Sequence, residues 1–241
     1  MAFTAASVLQ AKILEDTKNL LHKISAKQLL HDPIPDHIRR FPAVSKLSKY
    51  PPSLGGYINF EIFIAQGDVP NHLLYEAKRQ DVNEHILIKF VKVYSIELHN
   101  FCAQKGHAPK ILGYEWLPGG WYGVAMELIK PSKLITRLAS LTTYQDHWKG
   151  ELIELMQSFH AEGLVHGDLR NVNIICKDDG HLMLVDFDWG GKDGEVSYPL
   201  WMLNSELLKG RKSDNLRITK EDDEWVLKKT LENISSVQVV V

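Results

Sequence analysis

Residues 166–188 read HGDLRNVNIICKDDGHLMLVDFD, and the fold is decided in this stretch. Two apolar runs, Ile174 to Cys176 and Leu182 to Val185, flank Asp179-Gly180, a pair that suits a tight turn, so the middle of the stretch predicts a hairpin. A polar loop holding Asp168 and Asn173, five residues apart, precedes the hairpin, and Asp186-Phe187-Asp188 ends it, with Asp186 thirteen residues beyond Asn173. Upstream, residues 144–162 place Trp148, Leu152, Leu155, Met156 and Phe159 on one helical stripe, and Gly163 supplies a stop.

Phosphoryl transfer needs metal ions to neutralise phosphate oxygens, a cation on the remaining phosphates, and a carboxylate to orient the attacking group. Loop carboxylates and an amide of this kind serve it. Taken with the preceding helix and the intervening hairpin, the segment resembles the catalytic loop and metal-binding triplet of the protein kinase superfamily. The resemblance implies that Asp168 orients the acceptor, that Asn173 and Asp186 bind Mg2+, and that Arg170 offsets charge on the transferred phosphate. The patterns HGDLRNVNII and DFDWGGKDGEVSYP look most like a fungal-type kinase-like family and, more distantly, the RIO and aminoglycoside-kinase branches.

Working back from the loop, residues 57–64, 73–77 and 85–91 read as strands, rich in aromatic and β-branched residues. Pro118-Gly119-Gly120 predicts a hairpin between 111–117 and 121–129. Ile86-Leu87-Ile88-Lys89 is similar to the kinase strand whose lysine meets the α and β phosphates, and a lysine between Leu87, Ile88, Phe90 and Val91 needs a partner for its charge. Lys92 competes for that role. The resemblance implies a glutamate partner on the next helix, for which Glu97 is the nearest candidate. It also implies that Met126 stands at the entrance to the adenine site, that the backbones of Glu127 and Ile129 meet the base, and that Gly67 remains from a glycine-rich phosphate cover.

Several features depart from that family. The cover reads GDVPNH from Gly67, the triplet is Asp-Phe-Asp, Gly167 stands where many regulated kinases carry an arginine, and only thirteen steps separate Asp186 from Pro199. Lys plus Arg total 28 against 30 Asp plus Glu, a net charge of −2 that gives no field toward nucleic acid or an anionic membrane. Cys102 and Cys176 form no metal-ligand pattern, and no stretch reads as a secretory signal or membrane span.

The expected architecture is α+β and bilobal: a helical extension with a Pro-rich linker over 1–50, an antiparallel N-lobe over 51–130, and a reduced, mainly helical C-lobe over 131–241. The expected activity is an ATP- and Mg2+-dependent kinase, foremost on protein Ser/Thr hydroxyls. The alternatives are a small-molecule acceptor and a nucleotide-binding pseudokinase scaffold. An intracellular, cytoplasmic setting and a protein partner for the N-terminal helices complete the expectation.

Overall fold

The glycines of the Pro118-Gly119-Gly120 triplet take φ of 78° and 73°, a region open to glycine, and fold β5 (Ile111–Leu117) back onto β6 (Trp121–Glu127). The computed structural model describes residues 15–19, 43–66, 73–129, 132–134, 141–177, 181–199, 207 and 216–236. Two units are distinguished, residues 1–43 and 44–241. In the first, residues 15–19 are helical, and the rest of the helical extension expected ahead of the Pro-rich linker lies outside the described residues.

The second unit opens with β1 (Lys46–Ser48), β2 (Tyr57–Ala65), β3 (Leu73–Arg79) and β4 (His85–Val91), which join β5 and β6 in an antiparallel sheet ordered β1-β2-β3-β4-β6-β5. Its two edges also meet. Tyr50 N–H donates to Leu112 O at 2.9 Å, and Ser48 N–H and Oγ donate to Glu115 Oε2 at 2.7 and 2.9 Å. Gly113 permits this approach, since a Cβ there would stand 3.0 Å from Ser48 O. β1 lies inside the stretch expected to be linker; three residues with one buried side chain, Leu47, are too few to show a period of two.

Alternation along β4 sorts its side chains. Ile86, Ile88 and Phe90 are buried, whereas Leu87 and Val91, which flank Lys89 on the opposite face, pack against the main core. Helix α1 (Ile96–Gln104) follows at once, capped by Ser95, whose Oγ accepts from Leu98 N–H.

Beyond β6 the chain becomes mainly helical. After the short β7 (Ser132–Leu134), α2 (Leu141–Ala161) buries the expected stripe of Trp148, Leu152, Leu155, Met156 and Phe159 against Leu98, Cys102, Ile174, Leu184 and Val226. Each such side chain contributes roughly 1.5–3 kcal/mol by leaving water. Gly163, with φ of 74°, ends α2. Then come β8 (Leu164–Val165), the hairpin of β9 (Ile174–Lys177) and β10 (Leu182–Leu184), β11 (Gly191–Lys192) and α3 (Lys220–Ser236). Thr219 opens α3 through a reciprocal cap, its N–H and hydroxyl donating to Asp222 Oδ2 while its carbonyl accepts from Asp222 N–H. The hairpins arise where turn chemistry predicts them, although β6 ends at Glu127 rather than Ile129.

Candidate active site

The loop between β8 and β9 is held from below by one residue of α3. Asp223, fully buried, accepts from the backbone N–H of His166 and Gly167 at 2.7 Å each and stands 3.2 Å from His160 Nε2. These contacts make a buried carboxylate tolerable and fix the loop's entry. Tyr198 Oη donates to Gly167 O at 2.7 Å and Thr230 Oγ1 to Leu169 O at 2.9 Å. Gly167 has φ of 81°, and a Cβ there would meet Ile218 Cδ1 at 3.0 Å and Trp189 Cβ at 3.2 Å. Conformation and space both exclude a side chain, which is the local reason for glycine in place of arginine.

On this frame sit Asp168 and Asn173, both buried. Asn173 Nδ2 donates to Asp168 O at 3.0 Å, and Val185 N–H donates to Asn173 O at 3.0 Å, which ties the loop to the residue before Asp186. The Asp168 carboxylate receives the guanidinium fork of Arg170, Nε at 2.5 Å and Nη2 at 2.7 Å.

Lys89 reaches across from β4. Its Nζ donates to Asp186 Oδ1 and to Asp188 Oδ1, each at 2.6 Å. Burial pulls the Lys89 pKa down, but the two carboxylates outweigh it and hold the ammonium above its ordinary value. Burial pushes both acids up; Lys89 reverses this for Asp186, which ends below the usual carboxylate range, whereas Asp188, facing the Asp186 charge as well, stays above it. Asp186 takes φ of 67°, rare for a residue with a side chain and typical of functional positions.

Glu97 is not the lysine's partner. It is exposed in the first turn of α1, while the helix turns Leu98, His99 and Cys102 inward, and successive residues differ by about 100° around the axis. Asp188 supplies the second carboxylate instead. The buried face of α1 carries a ring: His99 stacks on Phe187 with centroids 4.5 Å apart, and Ser95 N–H donates to Phe187 O at 3.0 Å. Burial pushes His99 down to about 4, so it is neutral near pH 7. A carbonyl only accepts, so Nε2–H donates to Pro109 O at 2.8 Å and Nδ1 accepts from Tyr94 Oη at 2.6 Å.

Lys92 is exposed, with Nζ 2.5 Å from Gly119 O and 4.2 Å from the Trp121 ring centroid, which leaves Lys89 as the lysine of the cleft. Met126 is buried at the end of β6, Glu127 N–H donates to Lys110 O at 3.0 Å, and Ile129 is half-buried. Gly67 lies outside the described residues. Asp223 and His99 are not among the residues that the sequence singles out, and no local pattern marks either of them.

Known proteins resemble this chain over part of its length. Residues 123–189 match the RIO domain family. Residues of the chain align at 28% identity over 121 positions with Serine/threonine-protein kinase PKH3 of Saccharomyces cerevisiae, covering 48% of this chain and 12% of that protein. Protein kinase PINOID 2 of Arabidopsis thaliana is 30% identical over 129 positions, covering 52% of this chain and 23% of its own. The chain thus spans less than a quarter of the length of either of these relatives. Among solved structures, the Cydia pomonella Granulovirus kinase PK-1 superposes with a TM-score of 0.60 at 15% identity, covering 74% of this chain and 69% of that one. These likenesses support a protein-kinase-like superfamily with RIO relatives, and the chain has a bilobal, kinase-like α+β fold. Among the described residues no helix is long and apolar enough to cross a membrane.

Proposed function

We propose that this kinase-family protein is an ATP- and Mg2+-dependent phosphotransferase acting on protein Ser/Thr hydroxyls. The observation that carries the reading is Lys89 resting on Asp186 while Asp168 and Asn173 share one hydrogen-bonded loop. In this reading Asp168 orients the acceptor hydroxyl, Asn173 and Asp186 hold the metal, Lys89 holds the phosphates, and Arg170 offsets charge on the transferred group. Met126, Glu127, Ile129 and Gly67 surround the nucleotide. The donor set suits a hard cation, because Asp186 and Asp188 bring carboxylate oxygens on side chains that are 38% and 29% exposed. When bound, Mg2+ with ATP supplies neutralised phosphate oxygens and the group to be transferred. Asp188 would keep the Lys89 ammonium while Asp186 turns to the ion, a division that replaces the role first expected of Glu97.

The lobes are read as residues 51–130 and 131–241, with 1–50 offering helices to a protein partner in a cytoplasmic setting. Transfer of label from γ-labelled ATP to a protein mixture tests the activity: Asp186→Ala must abolish it and the surface control Lys78→Ala must keep it. A small-molecule acceptor, favoured by the short Asp186–Pro199 segment, predicts ATP consumption without labelled protein. A pseudokinase scaffold is favoured by one observation, that Lys89 and Asp168 are both closed upon internal partners. Thermal stabilisation by ATP only when Mg2+ is present supports a metal-using site, whereas no response to either removes both enzyme readings.

A further inference from the structure

Away from the Lys89 cleft, three elements bring imidazole and carboxylate together. His107 lies in the segment between α1 and β5, Glu151 on α2, and His181 at the turn entering β10; one ligating atom from each lies within 4.8 Å of the others. Glu151 Oε1 stands 3.5 Å from His181 Nδ1 and 3.7 Å from His107 Nδ1. His147, one turn before Glu151 on α2, places Nε2 3.9 Å from Glu151 Oε2.

The hydrogen bonds around the two rings define which nitrogens carry protons. His181 Nε2 is 2.7 Å from Gly106 O, and His107 Nδ1 is 3.0 Å from Leu182 O. Since a carbonyl can only accept, both nitrogens donate, so in neutral rings His181 would offer Nδ1 to an ion and His107 would offer Nε2 rather than the Nδ1 that stands nearest Glu151. His181 Nδ1 and Glu151 Oε1, 3.5 Å apart, form a pair that a shared proton or a shared cation can bridge. Glu151 Oε2 is buried and has no hydrogen-bond partner among the described residues, a state that commonly marks an ion or water. Backbone carbonyls that hold one ring nitrogen and leave the other for an ion are the usual outer support of histidine metal ligands.

We propose that His107, Glu151 and His181 form a zinc site, with His147 able to close a tetrahedron. Two or three imidazoles with one carboxylate suit Zn2+ rather than Mg2+, which takes oxygen ligands and keeps its waters. The ion clamps α2, the residue that enters β10 and the segment that leads to Pro109. Because Pro109 O holds His99, and His99 stacks on Phe187, the clamp supports the wall of the cleft from outside it.

The full chain, stripped of metal with a chelator, is titrated with Zn2+ and separately with Co2+ at neutral pH in the presence of Mg2+. The expected result is one tight equivalent per chain, the visible bands of four-coordinate Co2+, and a higher unfolding temperature with Zn2+. His181→Gln, on a partly exposed ring, and Glu151→Gln should each weaken that equivalent by more than about 100-fold, beyond the range seen for outer-support residues. His85→Gln should not. Failure to take up a stoichiometric ion, or uptake that survives both substitutions in folded protein, overturns the proposal. So does a thermal response to pH alone that Zn2+ leaves unchanged, which would assign the cluster to a protonated histidine pair. Phosphotransfer plays no part in these readouts.

Discussion

Asp188 Oδ1 lies 2.6 Å from Lys89 Nζ, at the place where the sequence first suggests a glutamate of the following helix. The Lys89 side chain is only 17% exposed, so its charge depends on that carboxylate and on Asp186. Lys89→Met leaves the two acids facing each other without a cation, and a loss of about 2 kcal/mol is expected, below the full 3–5 kcal/mol of a wholly buried pair because both acids touch solvent. A double-mutant cycle with Asp188→Asn in urea denaturation should give a coupling of about 1–2 kcal/mol. Glu97→Gln should couple to Lys89 by nothing measurable.

Asp223→Asn replaces an oxygen that accepts backbone N–H with an NH2 group that cannot. One of the His166 and Gly167 donors loses its acceptor, which costs about 2–3 kcal/mol in a buried position. The urea midpoint should fall at unchanged slope, and any phosphotransfer should fall with it.

Gly167→Ala and Gly163→Ala form a contrasting pair. Both glycines hold positive φ, so each alanine costs roughly 1–2 kcal/mol of backbone strain. Only at Gly167 do Ile218 and Trp189 also crowd the new Cβ, while nothing lies within 4 Å at Gly163. Unfolding temperatures should therefore rank wild type, Gly163→Ala, Gly167→Ala.

His99 gives the fold an acid limit. Its folded pKa, about 4, lies below the ordinary 6.5, so between these values the unfolded chain binds the extra proton. The neutral ring's contribution is complete above pH 6.5 and declines as pH falls, reaching a loss of about 3 kcal/mol near pH 4. Denaturation midpoints across that range check the slope, and His99→Phe should flatten it.

What the sequence made legible follows the distance over which each residue acts. The β9–β10 hairpin and the loop holding Asp168 and Asn173 are local, and turn chemistry plus fixed spacing announce them. Lys89 stood ahead of Lys92 through the match of Ile86-Leu87-Ile88-Lys89 to the kinase strand, but the partner's identity depends on how α1 is rotated, and one residue step carried Glu97 to the solvent. Asp223 was invisible for another reason: it bonds to a backbone 57 positions away, and backbone groups leave no mark on composition. β1 escaped because a three-residue strand has no rhythm to detect.

The seam between β1 and β5 has a practical consequence for anyone trimming this protein for expression. A fragment begun at residue 51, the boundary that composition invites, would strip Leu47 and Ser48 from the sheet and bare the rims of β2 and β5 together. Bare rims recruit other strands, so such a fragment should self-associate, whereas one begun at residue 44 keeps its own seal.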